Sequence, residues 1–187
     1  MFERITEKTF DEIFPLLESA FPVTELRVKE DQRALLGEPC YRLYGVRREG
    51  AFAATFATWE IEDFLYIEHF AVKEEYRNGG YGGMLLDALL AEKKRPMVLE
   101  VELPEDALTR RRIGFYERHG LVFNSYPYLQ PPMRKGQGVL PLQDVFDVLQ
   151  RHGFDGWYSI ELLSPYFRDP ELYLANSKRL MDSFFRK

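Results

Sequence analysis

The chain has 187 residues, enough for one α/β domain with a full core and a small appendage. A hydrophobic fraction of 45% beside 29% charged residues, with 15 Phe and 11 Tyr, suits a packed sheet with a ligand cleft rather than a disordered chain. A net charge of −5 leaves no global basic footprint for nucleic acid or an anionic membrane, and an acidic surface is compatible with a cationic or amine substrate.

Residues 2–6 read as a short first strand. Thr9 can cap a helix with Phe10, Ile13, Phe14 and Leu17 on one face, ending near Pro22. A second helix is expected over 24–36, stopping at Gly37 before Pro39. Three strand-like runs follow at 41–48, 51–60 and 64–72, with Glu49-Gly50 and Glu62-Asp63 as turn signals, so they read as an antiparallel meander. After a glycine-rich stretch comes a helix through Leu85, Leu86, Leu89 and Leu90, closed by Pro96. Residues 97–103 alternate as a strand, and a helix over 106–119 stops at Gly120. The extended run at 121–129 contains Pro127, which marks an edge or an irregularity. Beyond Pro131-Pro132 we expect a helix over 142–152, a strand over 157–163, and a helix over 170–185 capped at Asp169 with Pro170 in its first turn.

Cys40 is the only cysteine, so neither an internal disulfide nor a thiolate metal cluster is expected. No secretory pattern opens the sequence and no apolar run reaches membrane-span length, so a cytoplasmic protein is the expectation.

The informative segment runs from strand into helix through Arg77, Asn78, Gly79, Gly80, Tyr81, Gly82 and Gly83. Its four glycines permit positive φ and close approach of a ligand to the backbone. Free N–H groups at the following helix start, with the helix dipole, favour an anion. Arg77 adds a permanent cation with bidentate geometry for phosphate. A Walker-type loop would need Lys and Ser or Thr after its last glycine, where Met84 stands. A dinucleotide fingerprint would open a parallel βαβ unit, whereas this stretch follows a mid-chain antiparallel meander. Taken alone, the glycines also fit a plain tight turn into a helix.

The pattern Arg-x-x-Gly-x-Gly after a strand ending in Ala71-Val72 resembles the cofactor motif of the GNAT acyltransferase superfamily. Leu99-Glu100-Val101-Glu102 and then Phe115-Tyr116-Glu117-Arg118-His119-Gly120-Leu121 resemble that family's fifth strand and fourth helix, with Leu121 replacing its final Phe. The likeness spans roughly residues 1–140. It implies an α/β (α+β) fold with a mixed, mostly antiparallel central sheet flanked by helices, in a domain over 1–141. It also implies an N-acetyltransferase that uses acetyl-CoA as cosubstrate and no metal. The acceptor would be a primary amine of a small molecule or peptide, attacking directly in a ternary complex. A non-catalytic acetyl-CoA-binding sensor is the alternative.

By the same resemblance, Asn78, Gly79, Gly80, Tyr81, Gly82 and Gly83 join Arg77 on the pyrophosphate, and backbone groups of Phe70, Ala71 and Val72 bind the pantetheine and polarise the acetyl carbonyl. Tyr116 is the candidate acid for the departing thiolate, against a reading in which it only packs along the pantetheine. Glu68 is the candidate base, against binding a cation or pairing with a basic residue. Strand alternation sends His69 to the other face unless a bulge intervenes. Glu100 and Glu102 share a strand face that lines the acceptor side or meets solvent. Arg110-Arg111-Arg112 reads as a solvated helix face.

The C-terminal part, 142–187, departs from the family. The segment from Leu149 to Leu162, with Gly153-Phe154-Asp155-Gly156-Trp157, resembles the last βα unit of sugar-phosphate isomerase/epimerase barrels of the xylose-isomerase-like type. One strand cannot assemble that family's metal site, so Glu161 receives no metal role and a sugar isomerase is disfavoured. We expect residues 157–163 to join the sheet in place of a missing last strand. The alternatives are that the tail mediates homodimerisation or has no role.

Overall fold

Three aromatic-rich runs in mid-chain build the meander expected of them: β2 (Tyr41–Arg48), β3 (Ala51–Ile61) and β4 (Phe64–Val72). Glu49 and Gly50 turn β2 into β3 with φ of 54° and 86°, the positive values that match the twist of a tight hairpin. The computed structural model describes residues 2–61, 64–93, 95–130, 133–134, 136–138 and 140–147.

The short β1 (Glu3–Arg4) pairs antiparallel with β2. On the far side of β4 lie β5 (Met97–Glu102), β7 (Leu140–Asp147) and β6 (Leu121–Gln130), giving a seven-stranded sheet in the order β1-β2-β3-β4-β5-β7-β6. Among the described residues only β4 and β5 run parallel, joined by a crossover through α3 (Tyr81–Lys93). This is the mixed, mostly antiparallel sheet expected. Among the described residues β6 forms one edge of the sheet and β1 the other. The register of β6 shifts between Phe123 and Pro127, so Pro127 lies at an irregularity on an edge strand, as read from the sequence.

Helices cover both faces. On one face α1 (Phe10–Ala20) buries Phe10, Ile13, Phe14 and Leu17 against Tyr41, Leu43 and Phe52. Each of those four side chains gains roughly 2 kcal/mol on burial, which together outweighs the ~3 kcal/mol cost of Pro15 inside the helix. On the other face α3 and α4 (Ala107–Arg118) bury Leu85, Leu86, Leu89 and Ile113 against Phe56, Leu65, Ile67 and Leu99. Asp106 caps α4, its Oδ1 accepting from Thr109 N–H at 2.8 Å. No helix among the described residues is long and apolar enough to cross a membrane.

Two expectations are corrected. The helix expected from Thr24 starts only at Lys29, as α2 (Lys29–Ala34), and residues 21–28 form a loop. Carbonyls that a helix would use internally are taken by distant side chains. Leu26 O accepts from Arg134 Nε at 2.7 Å, and Val23 O from Gln137 Nε2 at 2.9 Å. The helix expected from Leu142 is instead β7, whose residues pair with β5 from Glu102↔Leu142 to Val98↔Phe146. Leu142, Val145 and Phe146 carry helical spacing, but the facing edges of β5 and β6 demand a hydrogen-bonding partner. Thus the described sheet already has a strand, β7, between β5 and β6, and it crosses the 141/142 boundary. The strand at 157–163 and the helix at 170–185 lie outside the described residues.

Candidate active site

The site exists because β4 and β5 part company. Their parallel pairing covers Leu65↔Met97, Tyr66↔Val98 and Ile67↔Leu99 and then stops, leaving the rest of that β4 edge without a strand among the described residues. At the same point β4 bulges, since Ala57 pairs with His69 but Thr58 pairs with Ile67, so Glu68 is an extra residue. The bulge places both Glu68 and His69 on one cleft of about 370 Å³. The strand alternation expected to separate them is broken there. His69 nevertheless serves the framework: its ring is 2% exposed, its Nε2 lies 2.8 Å from Glu25 O, and it packs edge-on to Phe21.

Phe70, Ala71, Val72, Arg77, Tyr116 and Gln130 all line this cleft. Phe70 is anchored by stacking on Phe56 with ring centroids 4.3 Å apart. Arg77 folds back over the end of β4, its Nε donating to Val72 O at 2.7 Å. Asn78 (φ 63°) and Gly80 (φ 78°) then turn the chain into α3. The first main-chain bond across that start is Met84 N–H to Gly80 O at 3.0 Å, so the N–H groups of residues 81–83 face outward.

The four glycines therefore do different jobs. Gly80 alone takes positive φ, while Gly82 and Gly83 lie in the first turn of α3. A Cβ at Gly83 would stand 2.5 Å from Nε2 of His119, whose Nδ1 lies 2.6 Å from Asp87 Oδ1. The basic run of α4 is exposed as expected, yet each member is engaged. Arg110 donates to the carbonyls of Pro104 and Glu105, Arg111 to Asn78 Oδ1 at 2.9 Å, and Arg112 pairs with Glu102.

Tyr116, on α4, is 8% exposed and edge-on to Phe115. Burial pushes its phenol up to about 12. Across the cleft, Glu68 Oε1 lies 2.8 Å from Arg27 Nη2, with side chains 3% and 10% exposed. Burial works to raise the Glu68 carboxyl, but the Arg27 charge, helped by His69, holds it well below the ordinary carboxylate range. Glu100 and Glu102 both line the cleft; Tyr66 Oη donates to Glu100 Oε2 at 2.9 Å.

Sequence reasoning missed Arg27 and Glu25. Both sit in the loop mistaken for helix, and no local spacing links them to residues near 68. The one available signal was charge: an ionised acid on a buried strand requires a cation somewhere.

A seven-stranded mixed sheet that splits between its parallel strands, beside a glycine-rich helix start, defines an acyltransferase-type architecture. Residues 7–121 match the acetyltransferase (GNAT) family, and the chain belongs to that family. It is similar to a GNAT-family protein from Bacteroides thetaiotaomicron, with 33% identity and a TM-score of 0.73 over 78% of this chain and 85% of that one. The fold is shared with the ribosomal-protein-S18-alanine N-acetyltransferase of Escherichia coli, at 21% identity and a TM-score of 0.59 over 78% and 91%. It is shared too with a GNAT family acetyltransferase from Elizabethkingia anophelis solved with acetyl-CoA bound, at 17% identity and a TM-score of 0.57 over 78% and 95%. No curated protein matches the chain.

Proposed function

We propose that the protein moves an acetyl group from acetyl-CoA, used as cosubstrate, to a primary amine by direct attack in a ternary complex. One observation carries this reading: a single cleft joins Arg77, beside the start of α3, to the open β4 edge and to Tyr116. The acetyl-CoA-bound Elizabethkingia relative supports the cosubstrate, and the Escherichia coli relative, named for acetylating an alanine nitrogen, supports an amine acceptor.

In this reading Arg77 and the N–H groups of residues 81–83 hold the pyrophosphate, with Asn78, Gly79 and Gly80 shaping its approach. Backbone groups of Phe70, Ala71 and Val72 hold the pantetheine and orient the acetyl carbonyl. Acetyl-CoA supplies an acyl thioester whose carbonyl carbon accepts the amine. Tyr116 stays protonated and offers its hydrogen to the departing sulfur. An ordinary phenol is already a weaker acid than a thiol, and burial raises the Tyr116 phenol further, so complete ground-state transfer to sulfur is uphill. Its contribution is therefore a hydrogen bond that strengthens as charge grows on sulfur. Glu68, held ionised by Arg27, is a weak base; we place it as a positioning residue that fixes the bulge. That same tie favours the sensor alternative, since it removes the base expected from the sequence.

Thiol release from acetyl-CoA with a panel of primary amines separates the two. Turnover that falls about 100-fold in Tyr116→Phe, with acetyl-CoA binding retained, supports the enzyme. Binding without turnover on any amine favours the sensor, and unaltered turnover in Tyr116→Phe removes Tyr116 from the mechanism.

A further inference from the structure

The cleft contains a further carboxylate, that of Glu25. Glu25 lies in the 21–28 loop, half-buried, and lines the same cleft as Tyr116 and Gln130. Its main chain is fixed: Glu25 O meets His69 Nε2 at 2.8 Å, and Glu25 N–H donates to Pro22 O at 2.9 Å. The flanking carbonyls of Val23 and Leu26 are clasped by Gln137 and Arg134. Its carboxylate, by contrast, has no ion-pair partner among the described residues, unlike Glu68 with Arg27 and Glu102 with Arg112. A second observation marks the same cleft as awaiting a hydrogen-bond donor. Gln130 is 6% exposed, and its Oε1 has no hydrogen-bond partner among the described residues.

We propose that Glu25 binds the ammonium of the acceptor and takes its proton before attack, a role that rests on the transferase reading above. An N–H bond of the ammonium breaks and its proton goes to the Glu25 carboxylate. The amine lone pair forms the N–C bond to the acetyl carbon, and the C–S bond breaks with its electron pair on sulfur. Tyr116 hydrogen-bonds the departing thiolate, and the proton that nitrogen loses on becoming an amide balances the one that sulfur finally takes up from solvent. The proton on Glu25 passes to solvent, so the net reaction releases one proton.

The surroundings suit the task. Burial, then the neighbouring Glu102 carboxylate, raise the Glu25 carboxyl above its ordinary value, while Arg112 of α4 and His69 of β4 oppose them. Tyr116, Glu68 and Glu100 complete the titratable lining near it. A carboxylate so raised is a better base than Glu68, which Arg27 holds down.

The test compares the full-length wild type with Glu25→Gln, an isosteric change. Calorimetry first reads acetyl-CoA binding to each, and 1,4-diaminobutane binding to each when saturated with CoA. Thiol release with 1,4-diaminobutane is then followed against pH. The proposal expects equal acetyl-CoA binding, amine binding weakened at least about tenfold, and kcat/KM lowered at least about 100-fold. It also expects loss of the acidic limb, which in wild type rises with pH through the raised Glu25 value. Amine affinity and pH profile unchanged in Glu25→Gln, with acetyl-CoA bound normally, overturn the proposal alone. No amine binding by CoA-saturated wild type at about 10 mM overturns it as well. Failure of wild type to bind acetyl-CoA removes the transferase reading and this proposal with it.

Discussion

Arg27 and Glu68 meet at 2.8 Å with both side chains nearly excluded from water, and their ion pair ties the 21–28 loop to the bulge of β4. Two charges so buried owe their stability to each other, because either alone would face a large desolvation cost. Arg27→Ala is expected to lose about 3–5 kcal/mol in urea unfolding, whereas the joint change to Met at both positions recovers most of that loss. The pH dependence has a definite sign. Glu68 sits lower when folded than its ordinary 4.5, so its contribution is complete above 4.5 and is lost as pH falls from there through the folded value. The stability gap between wild type and the double variant should stay constant from neutral pH down to about 5 and shrink on further acidification. A gap that grows below that point would contradict the pairing.

Gly79 and Gly83 should respond to alanine in opposite ways. A Cβ at Gly83 would meet His119 Nε2 at 2.5 Å, and the contact between His119 and Asp87 limits the ring's escape. Gly83→Ala is expected to lose about 1–2 kcal/mol of stability despite alanine's better helix propensity. At Gly79 a Cβ meets nothing within 4 Å and φ is not positive. Gly79→Ala should therefore unfold within about 0.5 kcal/mol of wild type while, on the proposed function, binding acetyl-CoA about tenfold more weakly, since the added methyl would stand in the proposed path of the pyrophosphate. Thermal melts and calorimetry on the pair check both halves.

Truncation tests the place of β7. A chain ending at Pro141 loses the strand that joins β5 to β6, exposing two unpaired edges. It should lack a cooperative unfolding transition, whereas a chain ending at Asp147 retains all seven strands and should unfold cooperatively. Equal stability of the two would mean that β7 contributes nothing to the sheet.

Much of this architecture was legible because local signals agreed with tertiary demand. The Glu49-Gly50 hairpin, the apolar stripe of α1 and the glycine-rich start of α3 each carry their cause within a few residues. Two segments were misread where distant partners overrule local spacing. Residues 24–28 have helical promise, but their carbonyls and Arg27 are claimed from residues 134, 137 and 68. Residues 142–147 show helical spacing, but two open strand edges claim their backbone. For the candidate site, the glycine-rich start of α3 was readable as a motif. Glu25 and Gln130 were not, because the 21–28 loop and β6 meet Tyr116 of α4 in one cleft from positions far apart in the chain.

The central claim is that the start of α3, with Arg77 folded against Val72, grips the linked phosphates of acetyl-CoA. Calorimetric titration of acetyl-CoA into the wild type and Arg77→Ala addresses it most directly. The account predicts saturable one-to-one binding by wild type, weakened at least about tenfold by Arg77→Ala and less sensitive to salt in that variant. Absence of binding to the folded wild type, or identical binding by the two proteins, would contradict it.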